Sequence, residues 1–257
     1  METVFKNIVK QLTDDQTPRV WSLLVTVFGE LAQEDGSGIS GALLSKLTTL
    51  MGIKPEAMRV ALHRLRKDGW IKSARNGRSS IYSLTDWGRA QSAEVTPKIY
   101  NTQPVTHPAW LVVFDPSQPV KDHVGPGAWI GSHHLITTTP DINGQVFAAP
   151  IALDTPLPDW MTGKICDPKI IKFGERFHRR LSSLRYTSEN IDDLDCFEIS
   201  AIRILIVDSW RRIVLKMPDL PDHVFPAGWL GLQCRERVAT LLCMFEKQDV
   251  TDMEAGL

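Results

Sequence analysis

The chain has 257 residues, of which 43% are hydrophobic and 23% are charged. This composition is ordinary for a folded globular protein, it argues against an intrinsically disordered chain, and no apolar run is long enough to cross a membrane. With no N-terminal signal peptide evident, we expect a cytoplasmic protein without a membrane partner. The formal net charge of -1 hides a local excess of positive charge, because residues 54–89 hold nine Lys and Arg against three Asp and Glu.

Two helices and a tight turn are predicted before residue 54. Apolar residues recur at helical spacing across residues 18–33 and again across 39–50, where Ser40 is a suitable N-cap. The segment 51–53, which contains Gly52, then makes a tight turn into a further helix. Two helices joined by so short a turn are typical of a helix-turn-helix pair.

The next helix is predicted from Lys54 to Asp68. Pro55 suits its first position, where the missing N–H costs nothing, and Gly69 suits the cap that follows its last turn. Five apolar residues fall on one side of this helix: Ala57, Met58, Ala61, Leu62 and Leu65. The other side is basic and carries Arg59, His63, Arg66 and Lys67, with Arg64 at its flank.

A basic hairpin follows this helix. Residues 70–74 are predicted to form one strand, the segment Arg75-Asn76-Gly77-Arg78 the turn, and Ser79–Leu84 the returning strand. Asn-Gly between two extended segments is a strong short-range hairpin signal. Thr85 and Asp86 are expected to begin another helix.

The order of these elements predicts a winged helix-turn-helix that binds double-stranded DNA. Any one of the basic residues alone is as readily an ordinary surface residue as a DNA ligand, but a basic helix followed by a hairpin with a basic tip is rarely accidental. We expect the helix to enter the major groove and the hairpin tip to contact phosphates or the minor groove. The candidate DNA-binding residues are Lys54, Arg59, His63, Arg64, Arg66, Lys67, Lys72, Arg75, Asn76 and Arg78.

The middle of the chain is predicted to be a small α+β or mostly β domain. Three prolines mark a linker between about residues 96 and 108, and the segments 110–114, 128–131, 135–139 and 145–149 have the pattern of strands. The segment between Phe114 and Trp129 reads as a loop rich in Pro and Gly. We therefore divide the chain into a DNA-binding domain at 1–96, a central domain at 105–155 and a helical domain at 156–257.

The remainder of the chain has the periodicity of helices. Long amphipathic stretches cover residues 168–184, 194–214 and 231–246, and the polar tail 247–257 is expected to be frayed. The apolar faces of these helices are candidates for a homodimer interface.

An enzyme is the first alternative to a DNA-binding protein, and the sequence favours it little. His133, His134 and Asp141 suggest a metal site, but adjacent histidines on a strand point to opposite sides and rarely bind one ion. The four cysteines form no C-x-x-C pair. We therefore assign no catalytic residues, no metal and no cofactor. A winged helix used only for protein interactions is the second alternative.

Three segments of the chain resemble the PaaX family of transcriptional repressors of phenylacetate catabolism genes. They are Arg59–Leu65 running into Asp68–Ile71, then Asn76–Thr85 followed by Trp87 and Gly88, and finally Arg211–Leu215 with Leu220, Pro221, Phe225, Pro226 and Gly228–Gly231. The first two overlap with general features of winged helices. The third segment makes the resemblance to this family more specific, because a DNA-binding domain alone does not require such a motif.

The resemblance implies an α+β protein with an N-terminal winged helix-turn-helix, a central ferredoxin-like domain and an all-helical C-terminal domain. It also implies a homodimer that binds a palindromic operator and releases it on binding an acyl-CoA, typically phenylacetyl-CoA. The segment between Phe114 and Trp129 is too short for the first ferredoxin-like helix, which predicts a truncated central domain. A different ligand, or none, stays open.

For the acyl-CoA effector, the resemblance directs attention to the basic and aromatic residues of the C-terminal half. The only basic cluster outside the DNA-binding segment lies at residues 176–185. Taken singly, each of these cations is explained better by a solvated helix face or a dimer contact than by effector binding. Four tryptophans are candidates to line a pocket for an aromatic ring, although buried tryptophans are more often plain core: Trp129, Trp160, Trp210 and Trp229. The candidate effector-binding residues are Arg176, Arg179, Arg180, Trp210 and Trp229.

Overall fold

The computed structural model of the chain describes residues 3–13, 19–77, 79–118, 120, 127–141, 146–184, 186 and 191–257. The protein is a mixed α+β protein with antiparallel sheets, as expected. It divides into two compact units. The first unit comprises Met1–Asn101, Arg180–Arg211 and Arg237–Leu257, and the second comprises Thr102–Arg179 and Arg212–Glu236. The division into three consecutive domains stays a prediction.

The N-terminal part of the first unit alternates helices with a small sheet. Its elements are α1 (Val4–Thr13), α2 (Val20–Leu31), β1 (Ile39–Ser40), α3 (Gly41–Leu50), α4 (Pro55–Lys67), β2 (Ile71–Asn76), β3 (Ser79–Leu84) and α5 (Asp86–Tyr100). The three strands are antiparallel in the order β1-β3-β2. The helices and the hairpin that the sequence predicts in this part are confirmed.

The ends of α3 and α4 are stabilised by the residues expected to do so. The Ser40 hydroxyl accepts a hydrogen bond from the Leu43 N–H at 3.0 Å, so it is the N-cap of α3. Gly52 and Gly69 each adopt a φ of +76°, a left-handed conformation that side-chain-bearing residues rarely adopt, directly after α3 and α4. These glycines stop the two helices and set the short turn between them.

Three predicted boundaries in this region are wrong. Ile39 and Ser40 form a short strand against β3 instead of the first turn of a helix. Strand β2 extends through Asn76, so Arg75 and Asn76 belong to the strand rather than to the turn. Helix α5 continues through Pro97 to Tyr100, where the sequence suggests a linker.

The last turn of α5 is held in place by contacts with a distant helix. Ile99 is buried and its carbonyl accepts the indole N–H of Trp210, and these contacts maintain the turn despite the proline.

Helices from the C-terminal half complete the first unit. They are α8 (Cys196–Val214) as far as Arg211, α9 (Gly231–Met244) from Arg237 onward and α10 (Val250–Ala255), together with the end of α7 (Pro168–Ser183) from Arg180. The tail is ordered, contrary to the prediction: Met253 is fully buried and Asp249 caps α10. The Glu254 carboxylate accepts the backbone N–H of Ser40 at 2.7 Å, so the tail contacts the start of α3.

The second unit is built on a four-stranded antiparallel sheet. Its strands are β4 (Ala109–Phe114), β5 (Gly127–Gly131), β6 (His134–Thr137) and β7 (Val146–Ile151), in the order β5-β6-β4-β7. Helix α6 (Asp159–Ile165) follows the sheet. The predicted strands are confirmed within two or three residues at their ends. The described residues that follow β4, 115–118 and 120, form a turn and no helix.

Candidate nucleic-acid interface

Helix α4 has one buried face and one exposed face. Met58, Ala61, Leu62 and Leu65 are buried, as their helical spacing predicts, and the Thr48 hydroxyl of α3 lies 3.2 Å from the Met58 sulfur. Helix α2 also packs against α4. The inner face therefore fixes α4 against two neighbouring helices, and the orientation of its outer face follows from that packing.

Every basic residue that the sequence predicts on the outer side of α4 is exposed in the structure. All six candidate residues of this helix and its N-cap are exposed: Lys54, Arg59, His63, Arg64, Arg66 and Lys67. The ion pairs described on this face are loose, with Arg59 3.9 Å from Glu56 and Arg64 3.5 Å from Asp68. Exposed pairs of this kind contribute little, so these cations remain available to an external anion.

Three of these cations also suit the helix to which they belong. Arg64, Arg66 and Lys67 lie in the last turn of α4, where positive charge opposes the negative end of the helix dipole. That benefit explains basic residues at the C-terminal end of α4 but not Arg59 or His63, which lie in its middle. The central pair therefore carries the stronger indication of an external ligand.

The hairpin adds two exposed cations beside α4. Lys72 pairs in register with Ser83 and Arg75 with Ser80, and both basic side chains are exposed. Gly77 adopts a φ of +59°, which the tight turn of the hairpin requires. Arg78 and the side chain of Asn76, both candidates for the tip, lie outside the described part of the structure.

An aromatic cluster attaches the hairpin to the helices. Trp70, just before β2, makes edge-to-face contacts with Trp21 of α2 at 5.6 Å and with Trp87 of α5 at 5.1 Å. A side chain at Gly88 would place its Cβ 2.2 Å from the Trp70 carbonyl oxygen, so only glycine permits this approach. These contacts hold the hairpin against α2 and α5, and α2 in turn packs against α4.

A buried ion pair connects α2 to the C-terminal helices of the first unit. The Arg203 guanidinium of α8 donates to the Glu30 carboxylate at 2.5 Å, and the two side chains are only 12% and 3% exposed. Arg203 also donates to the carbonyls of Leu242 at 2.8 Å and Phe245 at 2.9 Å. The pair therefore joins α2 to α8 and to the C-terminal end of α9.

Further polar contacts reinforce the same connection. The buried Asp208 carboxylate of α8 accepts hydrogen bonds from Ser22 at 3.1 Å and Thr26 at 3.3 Å, both on α2. The Lys46 ammonium of α3 lies 5.3 Å from the centre of the Phe197 ring. Because α2 also packs on α4, the position of α4 depends on residues about 150 positions away in sequence.

Sequence reasoning missed this buried network, although one signal of it was present. Glu30 is the one charged residue of the largely apolar helix Val20–Leu31, and a carboxylate buried in such a helix requires a partner. Nothing in the sequence identifies Arg203 as that partner, because α8 contains several arginines.

A small cleft lies in the first unit between α2, α5 and α8. Its volume is about 20 Å³, and Arg211 lines it together with the hydroxyl residues Thr26, Ser92 and Thr96. Burial lowers the pKa of Arg211, and the neighbouring Asp208 carboxylate acts in the opposite direction. A space of this size holds about one water molecule and is far too small for an acyl-CoA.

The candidate effector residues have different environments. In the second unit, Arg176 and Arg179 are exposed on α7, and the half-buried Trp229 stacks on Phe225 at 5.1 Å and donates its N–H to Asp222. In the first unit, Arg180 donates to the Leu12 carbonyl at 3.4 Å, and Trp210 is buried.

The described residues contain neither a cluster of metal ligands nor a helix suited to cross a membrane. Across those ranges no group of three or more His, Cys, Asp and Glu side chains is arranged to hold a metal ion. None of the described helices combines the length and the apolar character that a membrane crossing needs. Burial raises the pKa of the Cys166 thiol to about 11 and of the Cys234 thiol to about 12, as expected for structural cysteines.

Comparison with known proteins relates both ends of the chain to one family. Residues 19–88 match the PaaX-like protein family and residues 169–248 match the PaaX-like protein C-terminal domain. The transcriptional repressor PaaX of Escherichia coli (strain K12) is 25% identical over 245 residues, covering 84% of this chain and 77% of the repressor. The structure of the uncharacterized protein Rv0674 from Mycobacterium tuberculosis covers 88% of this chain and 96% of its own, with 17% identity and a TM-score of 0.49.

Proposed function

This chain belongs to the PaaX family, and on that premise we propose that it is a transcriptional repressor that binds duplex DNA. The observation that carries the proposal is the set of six exposed candidate residues on α4 and its N-cap, where the described ion pairs of Arg59 and Arg64 are loose. Residues 54–89 have a formal charge of +6 in a chain whose net charge is -1. A local field of this kind attracts the phosphate backbone even when the whole protein is nearly neutral.

In the proposed complex, α3, α4 and the β2–β3 hairpin act as a winged helix-turn-helix. Helix α4 enters the major groove, where Arg59 and His63 approach base edges. Lys72 and Arg75, with Asn76 and Arg78 near the tip, contact phosphates or the adjacent minor groove. Arg64, Arg66, Lys67 and Lys54 add positive charge around the groove.

We propose further that the protein binds its operator as a homodimer, with one α4 in each half-site. A two-fold protein requires a pseudo-palindromic operator with half-sites about one helical turn apart. Light scattering of the free and DNA-bound protein measures the stoichiometry, and footprinting measures the spacing. A monomer bound to a single half-site would contradict this part of the proposal.

The ligand that we propose to release the DNA is an acyl-CoA such as phenylacetyl-CoA, on the basis of the family resemblance. Arg176 and Arg179 are the better candidates for its phosphates because both are exposed and lie three residues apart on α7. The half-buried Trp229 ring suits an aromatic acyl group. Arg180 and Trp210 already bond to carbonyls of the first unit, so they rank lower.

The experiment that tests the proposed function is a binding titration on a labelled duplex from the upstream region of the gene itself. With six or more phosphate contacts, affinity should fall by about a thousandfold between about 50 and 200 mM salt. Arg59→Ala and Lys164→Ala remove the same charge, but only the first lies on α4, so only it should weaken binding. Salt-insensitive or absent binding to this duplex and to genomic fragments would overturn the proposal.

The ligand is tested in the same assay at fixed salt. Phenylacetyl-CoA should release the duplex, while free CoA and free phenylacetate at equal concentration should not. Release by phenylacetyl-CoA that is lost in Arg176→Ala/Arg179→Ala would support both the ligand class and its site. Tight DNA binding that the thioester does not change would retain the repressor and discard this ligand.

A further inference from the structure

The outer face of α4 contains one large apolar side chain among its cations. Val60 is 70% exposed, whereas Met58, Ala61, Leu62 and Leu65 of the same helix are buried. Val60 is therefore not part of the core. It lies beside Arg59, and its exposed neighbours one turn away are Glu56, His63 and Arg64.

Neither helix stability nor solubility accounts for valine at this position. A β-branched residue loses χ1 freedom in a helix, so Val is less favourable there than Ala, Lys or Arg. An exposed apolar side chain also gains nothing from water. A basic surface whose role is attraction of phosphate would be served better by another cation.

Val60 and Glu56 differ from the surrounding cations in that neither is attracted to phosphate. Glu56 is 73% exposed and would be repelled by the DNA backbone, and Val60 has no group that a phosphate could accept from. The chemistry available to such a pair lies at the floor of the major groove. There, thymine presents a 5-methyl group to apolar side chains and cytosine presents an amino donor to carboxylates.

We propose that Val60 is a specificity-determining residue that contacts the 5-methyl group of a thymine in each operator half-site. This inference rests on the proposed function, because it requires α4 to enter the major groove. Charge complementarity orients the contact: the flanking cations Arg59, Arg64 and Lys67 hold α4 against the phosphates, and the isopropyl group of Val60 then meets the base edges.

Replacement of single thymines by deoxyuridine tests the contact, since it removes only the methyl group. After footprinting of the operator, each thymine is replaced in turn in duplexes of otherwise identical sequence. Wild-type protein should lose about fourfold in affinity at one position per half-site, which is the value of one buried methylene-sized group. Replacements elsewhere should change affinity by less than about twofold.

Variants at position 60 then assign the effect to the side chain. Val60→Ala should bind the thymine and deoxyuridine duplexes equally at that position, while Val60→Ile should retain the difference. Leu153→Ala, which shortens an 82%-exposed apolar side chain of the second unit, is the matched control and should behave as wild type. Because Val60 is exposed, circular dichroism should show all three variants to be folded.

The outcomes separate this inference from the function on which it rests. A fourfold penalty at one position that Val60→Ala abolishes would establish the contact. Tight, salt-dependent binding with no such position, or with a penalty that Val60→Ala retains, would overturn the contact and leave the repressor proposal intact. Absence of salt-dependent binding by the wild-type protein would overturn both.

Discussion

The outer face of α4 and the interface of α2 with α8 are both rich in charge, but they use it in opposite ways. Arg59 and Arg64 on the outer face have side chains that are 71% and 70% exposed, and their ion pairs are loose, at 3.9 Å and 3.5 Å. Glu30 and Arg203 in the interface are 3% and 12% exposed and in close contact. Charge at the first surface is available to an external partner, whereas charge at the second is neutralised inside the protein.

The comparison indicates how a chain with a net charge of -1 presents a strongly basic surface. Much of its acidic charge lies away from α4, and the acidic residues of the buried network, Glu30 and Asp208, are already satisfied by internal donors. Buried pairs fix the position of α4 through α2, and exposed cations on α4 supply the proposed attraction to DNA. Mutations in the two regions should therefore change different properties.

The largest expected effect is on stability, from Arg203→Ala. Removal of Arg203 leaves the Glu30 carboxylate buried without its partner and two carbonyls without a donor, which should lower the free energy of unfolding by about 3–5 kcal/mol. Urea denaturation measures the loss. The matched control is Arg59→Ala, which removes a 71%-exposed arginine from the middle of α4 and should change stability by less than about 0.5 kcal/mol. Equal losses in the two variants would contradict the distinction between the regions.

The C-terminal tail should behave as part of the buried region. Met253→Ala removes a fully buried side chain that contacts Ser200, and large-to-small substitution of this kind costs about 2–4 kcal/mol. Leu257→Ala, at a 54%-exposed position four residues later, is the control and should be nearly neutral. If both variants unfold at the wild-type urea midpoint, the tail is frayed after all.

Arg59→Ala should change DNA binding and leave folding intact. Loss of a bidentate contact to guanine costs about 1–3 kcal/mol of discrimination between operator and unrelated duplex, while the urea midpoint should stay at the wild-type value. Competition titrations with the two duplexes measure the discrimination. A uniform loss of affinity for both duplexes would instead place Arg59 on the phosphate backbone.

The smallest effect is expected from Arg75→Ala in the hairpin. One lost phosphate contact should reduce the slope of log affinity against log salt by about 0.9 and weaken all duplexes alike. Lys72→Ala is a second test of the same kind on the same strand. A change in sequence preference from either variant would mean that β2 contacts bases. It would contradict the assignment of base contacts to α4 and of phosphate contacts to the hairpin.

Local features of the N-terminal region were predictable because they depend on neighbours in sequence. The spacing of apolar residues locates α2, α3 and α4, and Ser40, Gly52 and Gly69 mark their ends through capping and turn chemistry. Asn-Gly locates the hairpin. The errors fall where distant residues decide the outcome: Pro97 stays in a helix because its last turn bonds to Trp210, and β1 exists only because β3 lies beside it.

The sequence by itself determined the order of the elements, the basic side of α4 and the family, because helical periodicity, turn residues and short motifs are local properties of the chain. Only the tertiary structure decided which charged side chains are exposed to an external partner and which are paired inside the protein. Arg203 and Arg59 look alike in the sequence, yet one is buried against Glu30 and the other faces solvent. Burial of a charged group depends on which distant helix packs against it, and residues such as 30 and 203 meet only when the chain has folded.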